Sequence, residues 1–391
     1  MDRYRENAAW LVRFAPFRAL SISAAYLTPF FLQNGLNLSQ VFILQSIYSV
    51  ALLVLEIPGG YVADRFGRAF SIKISAPIAA LAMVLYGFST HYWQFVALEL
   101  LLAVANSLIS GIDTALLLDS LKAEGKERDF VRISQRMNAV GFAATAVSVP
   151  LAVVLVHFSG VSATLVADGV LTAIGCYFAL KLVEAPRVRS ASQEAVRLSA
   201  WHAITSLGKN VEARWLVLLG AVLGASTYMA FWLSAPYYES MHVPLVWFSV
   251  ILAIRSAWKA WLSHKFHQTR KLERNMLVYA GLAGLVYVAM ATKQLWLIWA
   301  VLGHDIIQAL QSQPITAKLN EHMHHEYRAT MNSLVNLVQR LLYSLAGPLV
   351  GLLVDKAGLQ TGFLIVGAIC SAVAFAAIFK LRRFGTFADV A

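Results

Sequence analysis

Gly59–Phe70 reads GGYVADRFGRAF, a turn with two glycines at its start, then an aspartate and two arginines, set between long apolar runs. So dense a charged turn is unusual in this chain. Its 391 residues are 59% hydrophobic and only 14% charged, whereas a soluble domain carries about 25% charged residues. The apolar excess is not gathered into one core. It recurs in runs of about 20 residues, the length that crosses a bilayer as a helix. Alternating strands of about ten residues, as in a membrane barrel, are absent. The chain is therefore expected to be an all-α membrane protein, and the turn at 59–70 is expected to join two of its spans.

Twelve spans are predicted, near 9–32, 39–61, 70–89, 93–118, 133–157, 160–182, 214–238, 244–263, 275–292, 294–316, 328–354 and 360–381. Lys and Arg decide their orientation. The loops on one side hold Arg65, Arg68, Lys122, Lys126, Arg128, Arg132, Lys265, Arg270, Lys271, Arg274, Lys318 and Arg328, and those on the other hold only Lys293 and Lys356. Positive charge stays on the cytoplasmic side, so both termini are expected in the cytoplasm, with a multi-pass chain in the cell inner membrane. The net charge of +11 thus belongs to membrane topology and not to a nucleic acid. Arg13 and Arg18 interrupt the first apolar run, which argues for a retained span over a cleaved signal. Cys176 and Cys370 fall in separate spans and suggest packing, with no disulfide framework.

The chain divides in two. The longest polar segment separates six spans from six, giving expected domains at 1–183 and 214–391 with a cytoplasmic linker at 184–213. Val196, Trp201, Ile204 and Leu207 in that linker could share one face of a helix lying on the inner surface. An internal repeat supports the division. PLAVVLVHFSGVSATLVADG from Pro150 aligns without gaps with PLVGLLVDKAGLQTGFLIVG from Pro348, matching Gly160 with Gly358 and Gly169 with Gly367. Two halves in parallel repeat are the layout of a rocking transporter with a site between them.

With these features the chain resembles the major facilitator superfamily along its whole length: six plus six spans, a cytoplasmic central segment, and the signature G-x-x-x-D-R-x-G-R after span two. Here the signature is Gly60, Asp64, Arg65, Gly67 and Arg68. Gly60 would let two helices approach closely. Asp64 could cap the positive end of a facing helix, expected near Arg328 to Thr330 in span eleven. Gly67 permits the tight turn. Arg65 and Arg68 could hold a carboxylate, for which Asp119 at the inner end of span four is the candidate. In the family such a cluster latches the two halves on the cytoplasmic side. The matching stretch of the second half, KAWLSHKFHQTRK, has His264 and His267 where Asp and Gly would stand. The antiporter signature of span five is also incomplete: Pro150 is present without its flanking glycines, and GPLVG occurs in span eleven instead.

Charges at the centre of a spanning helix cost about 2.5–3.5 kcal/mol each, so each is expected to be paired or to line a wet cavity. The resemblance implies that spans one, four, seven and ten line a central cavity, flanked by two, five, eight and eleven. Asp113, Asp305 and Glu56 are the candidates for proton coupling, since a carboxylate in an apolar site can exchange protons near neutral pH. Arg18, Arg255 and Arg340 cannot release protons in practice and are candidates for pairing with those acids or binding substrate, with Asn336, Tyr228 and Trp232 beside them. Asp168 in span six is read as structural. HMHHE at 322–326 matches no standard metal spacing, and no cofactor is expected. There is no P-loop.

The expected function is secondary active transport of a small organic molecule, amphipathic or charged. It would proceed by alternating access in a monomer, with the lipid bilayer, protons and the substrate as partners. Proton-coupled export of a drug or metabolite is the first reading and uptake of an organic anion the second. A lipid-acting membrane enzyme would need a clustered catalytic set, and His304 beside Asp305 is its only buried candidate. A sensor that moves nothing would share the fold.

Overall fold

The computed structural model describes residues 3–186, 210–265, 272–321 and 328–387. The proposed surface helix around Trp201, His267 and the HMHHE segment lie outside them. The described residues are helical, with no strand among them. In chain order the helices are α1 (Asn7–Ala19), α2 (Leu27–Gln33), α3 (Leu38–Phe66), α4 (Arg68–Phe88), α5 (Tyr92–Ile109), α6 (Ile112–Ala123), α7 (Phe130–Ser159), α8 (Ser162–Leu180), α9 (Val211–Ser240), α10 (Val246–Lys265), α11 (Leu272–Ala291), α12 (Leu302–Leu310), α13 (Ser312–Glu321) and α14 (Arg328–Arg383). A 3₁₀ stretch, Leu295–Val301, precedes α12. The run α14 is two helices meeting at Gly358.

Among the described residues, eight helical stretches are long and apolar enough to cross a membrane, and the last of them holds spans eleven and twelve. The expected spans missing from this set are one, eight and ten. Span one is split into α1 and α2, and span ten into the 3₁₀ stretch, α12 and α13. Span eight, α10, carries Arg255 at its middle and Lys259 one turn further on. The interruptions and charges that weaken these spans are where the polar side chains gather. Span four is also broken: α5 ends at Ile109 and α6 starts at Ile112, with Gly111 between them in the left-handed region at φ 71°.

Two compact units are present. One takes residues up to 36, 47–190 and 245–250, and the other takes 37–46, 191–244 and 251–391. In the first unit, Leu11, Phe14, Ile72, Leu116, Leu117 and Leu182 build one core between α1, α4, α6 and the segment after α8. Phe30, Phe31, Tyr86 and Phe95 form an aromatic knot with ring centroids 5.3–6.3 Å apart. In the second unit, Leu216, Leu219, Met276, Ile307, Ile315 and Ile378 pack α9, α11, α12, α13 and α14 together.

The internal repeat has a physical basis. Gly160 (φ 80°) ends α7 and Gly358 (φ 83°) breaks α14, so each unit turns one span into the next at a residue that tolerates positive φ. A Cβ on Gly169 would come within 2.6 Å of Val84 N, and one on Gly367 within 2.8 Å of Tyr287 Cβ. The matched glycines thus seat α8 on α4 in one unit and the end of α14 on α11 in the other.

The start of α3 belongs to the second unit. Asp355 accepts hydrogen bonds from Leu38 N (3.0 Å) and Ser39 N (2.8 Å), which satisfies two of the backbone donors left open at a helix start. A Cβ on Gly351 would reach within 2.5 Å of Ser39 Cα, so the GPLVG glycine serves as a seat for this helix start.

Candidate functional site

The turn at 59–70 joins α3 to α4 through Gly67, whose backbone (φ 115°, ψ 147°) suits no other residue well. Its neighbour Arg68 pairs with Asp119 at 2.5 Å and donates from Nη1 to the carbonyl of Ala115 at 2.7 Å. The structure thus brings together the arginine and carboxylate singled out from the sequence, at the end of α6. The N-terminus of α4 is capped by Glu184, which accepts from Arg68 N (3.0 Å) and Ala69 N (2.9 Å). No signal in the sequence marked Glu184, because it comes 116 residues later and outside any span.

Two details differ from expectation. The close approach falls at Gly59 and not at Gly60: a Cβ on Gly59 would come within 2.5 Å of Ser107 O, while one on Gly60 would meet nothing within 4 Å. A helix presents successive residues about 100° apart, so only one glycine of the pair can face α5. Arg65 is exposed; it donates to Tyr61 Oη (2.8 Å) and lies over the Phe66 ring, and Arg68 alone of the two arginines holds Asp119. Asp64 is exposed and Glu56 half-buried on α3. The side chains of 328–330, expected opposite Asp64, lie outside the described residues.

A second polar group forms where spans one and four are broken. Arg18 stands in the last turn of α1 and Asp113 in the first turn of α6, and the two form an ion pair. Each charge suits its place, since a helix C-terminus favours a cation and an N-terminus an anion. Asp113 Oδ1 also accepts from Thr114 N at 2.8 Å. The Arg18 side chain is 41% exposed and that of Asp113 is 8%. Beside them opens a cavity of about 300 Å³, lined by Phe14, Arg18, Asp113, Met137, Asn138 and Thr145. Its size is at the lower end for small-molecule pockets.

The break in span one is held by Asp168. Its carboxylate accepts from Ile22 N (2.8 Å) and Ser23 N (2.9 Å). Thr145 Oγ1 bonds to the carbonyl of Ala19 at 3.3 Å. Irregular backbone at membrane depth needs such partners, because lipid offers none.

The third group lies in the second unit. Arg255 donates from Nε to Asp305 Oδ2 (2.9 Å) and from Nη2 to Oδ1 (3.1 Å). Lys259 Nζ is 3.8 Å from Asp305 Oδ1 and donates to Gln308 Oε1 at 3.0 Å. His304 is buried, with Nε2 3.3 Å from Ser226 Oγ and its ring edge-on to Tyr287. Asp305 faces Arg255, so His304 and Asp305 form no catalytic relay with each other.

The profile of the Major Facilitator Superfamily matches residues 9–347. The chain belongs to the major facilitator superfamily. No curated protein matches it in sequence. Among solved structures it is similar to the nucleoside transporter NupG, with 16% identity, TM-score 0.78 and coverage of 98% of this chain and 100% of that one. It is likewise similar to a bacterial homologue of the human lysosomal transporter Spinster, with 17% identity, TM-score 0.70 and coverage of 99% and 98%. A peptide transporter of the POT family gives 14% identity, TM-score 0.69 and coverage of 97% of each chain. At such identities the likeness shows the fold. Membership of the superfamily makes this a multi-pass membrane protein with a transporter fold, and points away from an enzyme.

Other residues singled out from the sequence are dispersed in this superfamily member. Tyr228 is exposed, with its ring 5.9 Å from that of Tyr343. Trp232 is buried, so of the two aromatic candidates on that helix only Tyr228 is exposed. Arg340 is half-buried and Asn336 exposed on α14. Arg255 is only 4% exposed and spends two donors on Asp305; the more open cation beside that pair is Lys259, with its side chain 29% exposed. Glu99, missed in the sequence, is buried and accepts from Tyr86 Oη at 2.9 Å. A lone acid in an apolar run was its available signal.

Proposed function

We propose that the chain is a monomeric secondary active transporter of the cell inner membrane, with cytoplasmic termini. In this reading it exports a small organic molecule by alternating access between its repeated halves, driven by protons. The observation that carries the coupling is the Arg18–Asp113 pair beside a cavity, at the ends of two interrupted helices. Asp113 binds either the Arg18 guanidinium or a proton. Protonation frees Arg18 to turn to the cavity and bind substrate. Release of the proton restores the pair and displaces that contact. Such mutual exclusion makes proton and substrate affinities depend on each other reciprocally. The broken helices provide backbone groups and dipole ends at this depth, as in other carriers with discontinuous helices. Asp305, facing both Arg255 and Lys259, serves as a fixed counter-ion. The export direction is the first reading of the sequence, by the resemblance of the signature turn at 59–70 to that of the superfamily.

The test is flux through purified protein in liposomes, with and without a pH gradient, across dyes, organic anions and amphipathic drugs. The expected result is gradient-stimulated movement of at least one compound. Asp113→Asn should reduce the stimulation by roughly tenfold or more, about 1.4 kcal/mol of coupling, while gradient-independent exchange persists. If no compound moves, transport is refuted. If Asp113→Asn keeps the full gradient response, the coupling role of Asp113 is refuted.

A further inference from the structure

The Arg18–Asp113 pair and the group around Asp305 differ in charge. In the first unit one arginine faces one aspartate, and the pair is neutral. In the second unit Arg255 and Asp305 already cancel each other through a bidentate contact, with side chains 5% and 1% exposed. Lys259 adds another positive charge one turn further along α10. Its distance to Asp305 Oδ1 is 3.8 Å, and that oxygen is already engaged by Arg255. Among the described residues the cluster therefore carries one cation in excess. An excess charge within a span is costly, and a long lysine stem normally relieves that cost by snorkelling to the membrane surface. Lys259 does not do so: its Nζ turns to Gln308 on α12.

The open side of the cluster is the Lys259 end. The Lys259 side chain is 29% exposed and Gln308 is exposed, while Arg255 and Asp305 are sealed. An ammonium has three donors and Gln308 Oε1 takes one of them. With its oxygen turned to Lys259, the Gln308 amide keeps its NH₂ group for an acceptor. The site thus offers a cation and neutral donors, next to a carboxylate whose two oxygens are both engaged by Arg255. That is the chemistry of an oxyanion receptor.

We propose that Lys259 and Gln308 bind the negatively charged group of the transported molecule, a carboxylate, sulfonate or phosphate monoester on an organic body. This inference rests on the transporter reading and narrows its substrate to anions. Arg255 and Asp305 are positioning residues that hold Lys259 at this depth.

Equilibrium binding to the full chain in nanodiscs tests it, using three matched pairs: naphthalene-2-sulfonate with its sulfonamide, 4-phenylbutyrate with its amide, and phenyl phosphate with phenol. The wild type is expected to bind at least one anion roughly ten- to a hundredfold tighter than its neutral partner, as one charge-assisted contact implies. Lys259→Gln should abolish that preference without lowering the melting temperature or weakening the neutral compounds to the same extent, and Lys259→Arg should keep most of it. If the wild type shows no anion preference, or Lys259→Gln retains it, the proposal is overturned. Flux separates this from the broader reading. Lys259-dependent anion binding without any transport supports the site and refutes transport. Gradient-driven movement of neutral compounds alone supports transport and overturns the site.

Discussion

Arg68 and Asp119 could be matched from the sequence because both are charged and both close an apolar run on the same side of the membrane. Their contact predicts coupling. Arg68→Ala and Asp119→Asn should each lower stability, and the double substitution should cost less than the sum, with an interaction of about 0.5–3 kcal/mol. A double-mutant cycle on thermal unfolding in detergent measures it, and strict additivity would show that the pair contributes nothing. Arg18 and Asp113 were visible for a similar reason, since a charge inside an apolar run stands out. Arg255 was equally visible, yet its sequence neighbours gave no sign that Asp305 would take up its donors. Glu184 and Asp355 stayed hidden. Each is an acid near the end of a span, where acids are ordinary. Only the fold shows that one caps α4 and the other caps α3.

Span boundaries were legible from element to element, but helix breaks were not. Residues 20–26, LSISAAY, contain neither glycine nor proline, and a single apolar run looks continuous across them. The break exists because Asp168, 146 residues from Ile22, presents two carboxylate oxygens to Ile22 N and Ser23 N. Asp168→Asn keeps the shape of the side chain but replaces one acceptor by a donor. One buried backbone N–H then loses its partner, at a cost of about 1–3 kcal/mol. The expected outcome is a lower melting temperature, together with faster hydrogen exchange at Ile22 and Ser23 measured by mass spectrometry. Unchanged exchange there would mean that Asp168 does not hold the break. The break in span four had a local signal, Gly111, but a glycine within a span is as often a packing surface as a turn.

At the scale of the molecule, the repeat from Pro150 and Pro348 predicts equivalent behaviour of the two units. Gly169→Val and Gly367→Val each place a branched side chain where a single Cβ already meets a neighbour within 3 Å. Each should destabilise its unit by about 1–3 kcal/mol, read as a drop in the unfolding midpoint, whereas a change at only one of the two would break the equivalence. The sequence alone determined the class of protein, the number of spans, their orientation as an expectation, and the twofold internal repeat. These follow from local quantities: a bilayer tests each run of about 20 residues for apolarity, and each loop for charge, almost independently of the rest. Tertiary structure decided which charges meet, which helices break and which cation stays open. Those outcomes depend on the rotation and depth at which helices distant in sequence are brought together. One residue of shift turns a side chain by about 100°, enough to exchange Gly59 for Gly60 at a helix contact, and such packing is set by many neighbours at once.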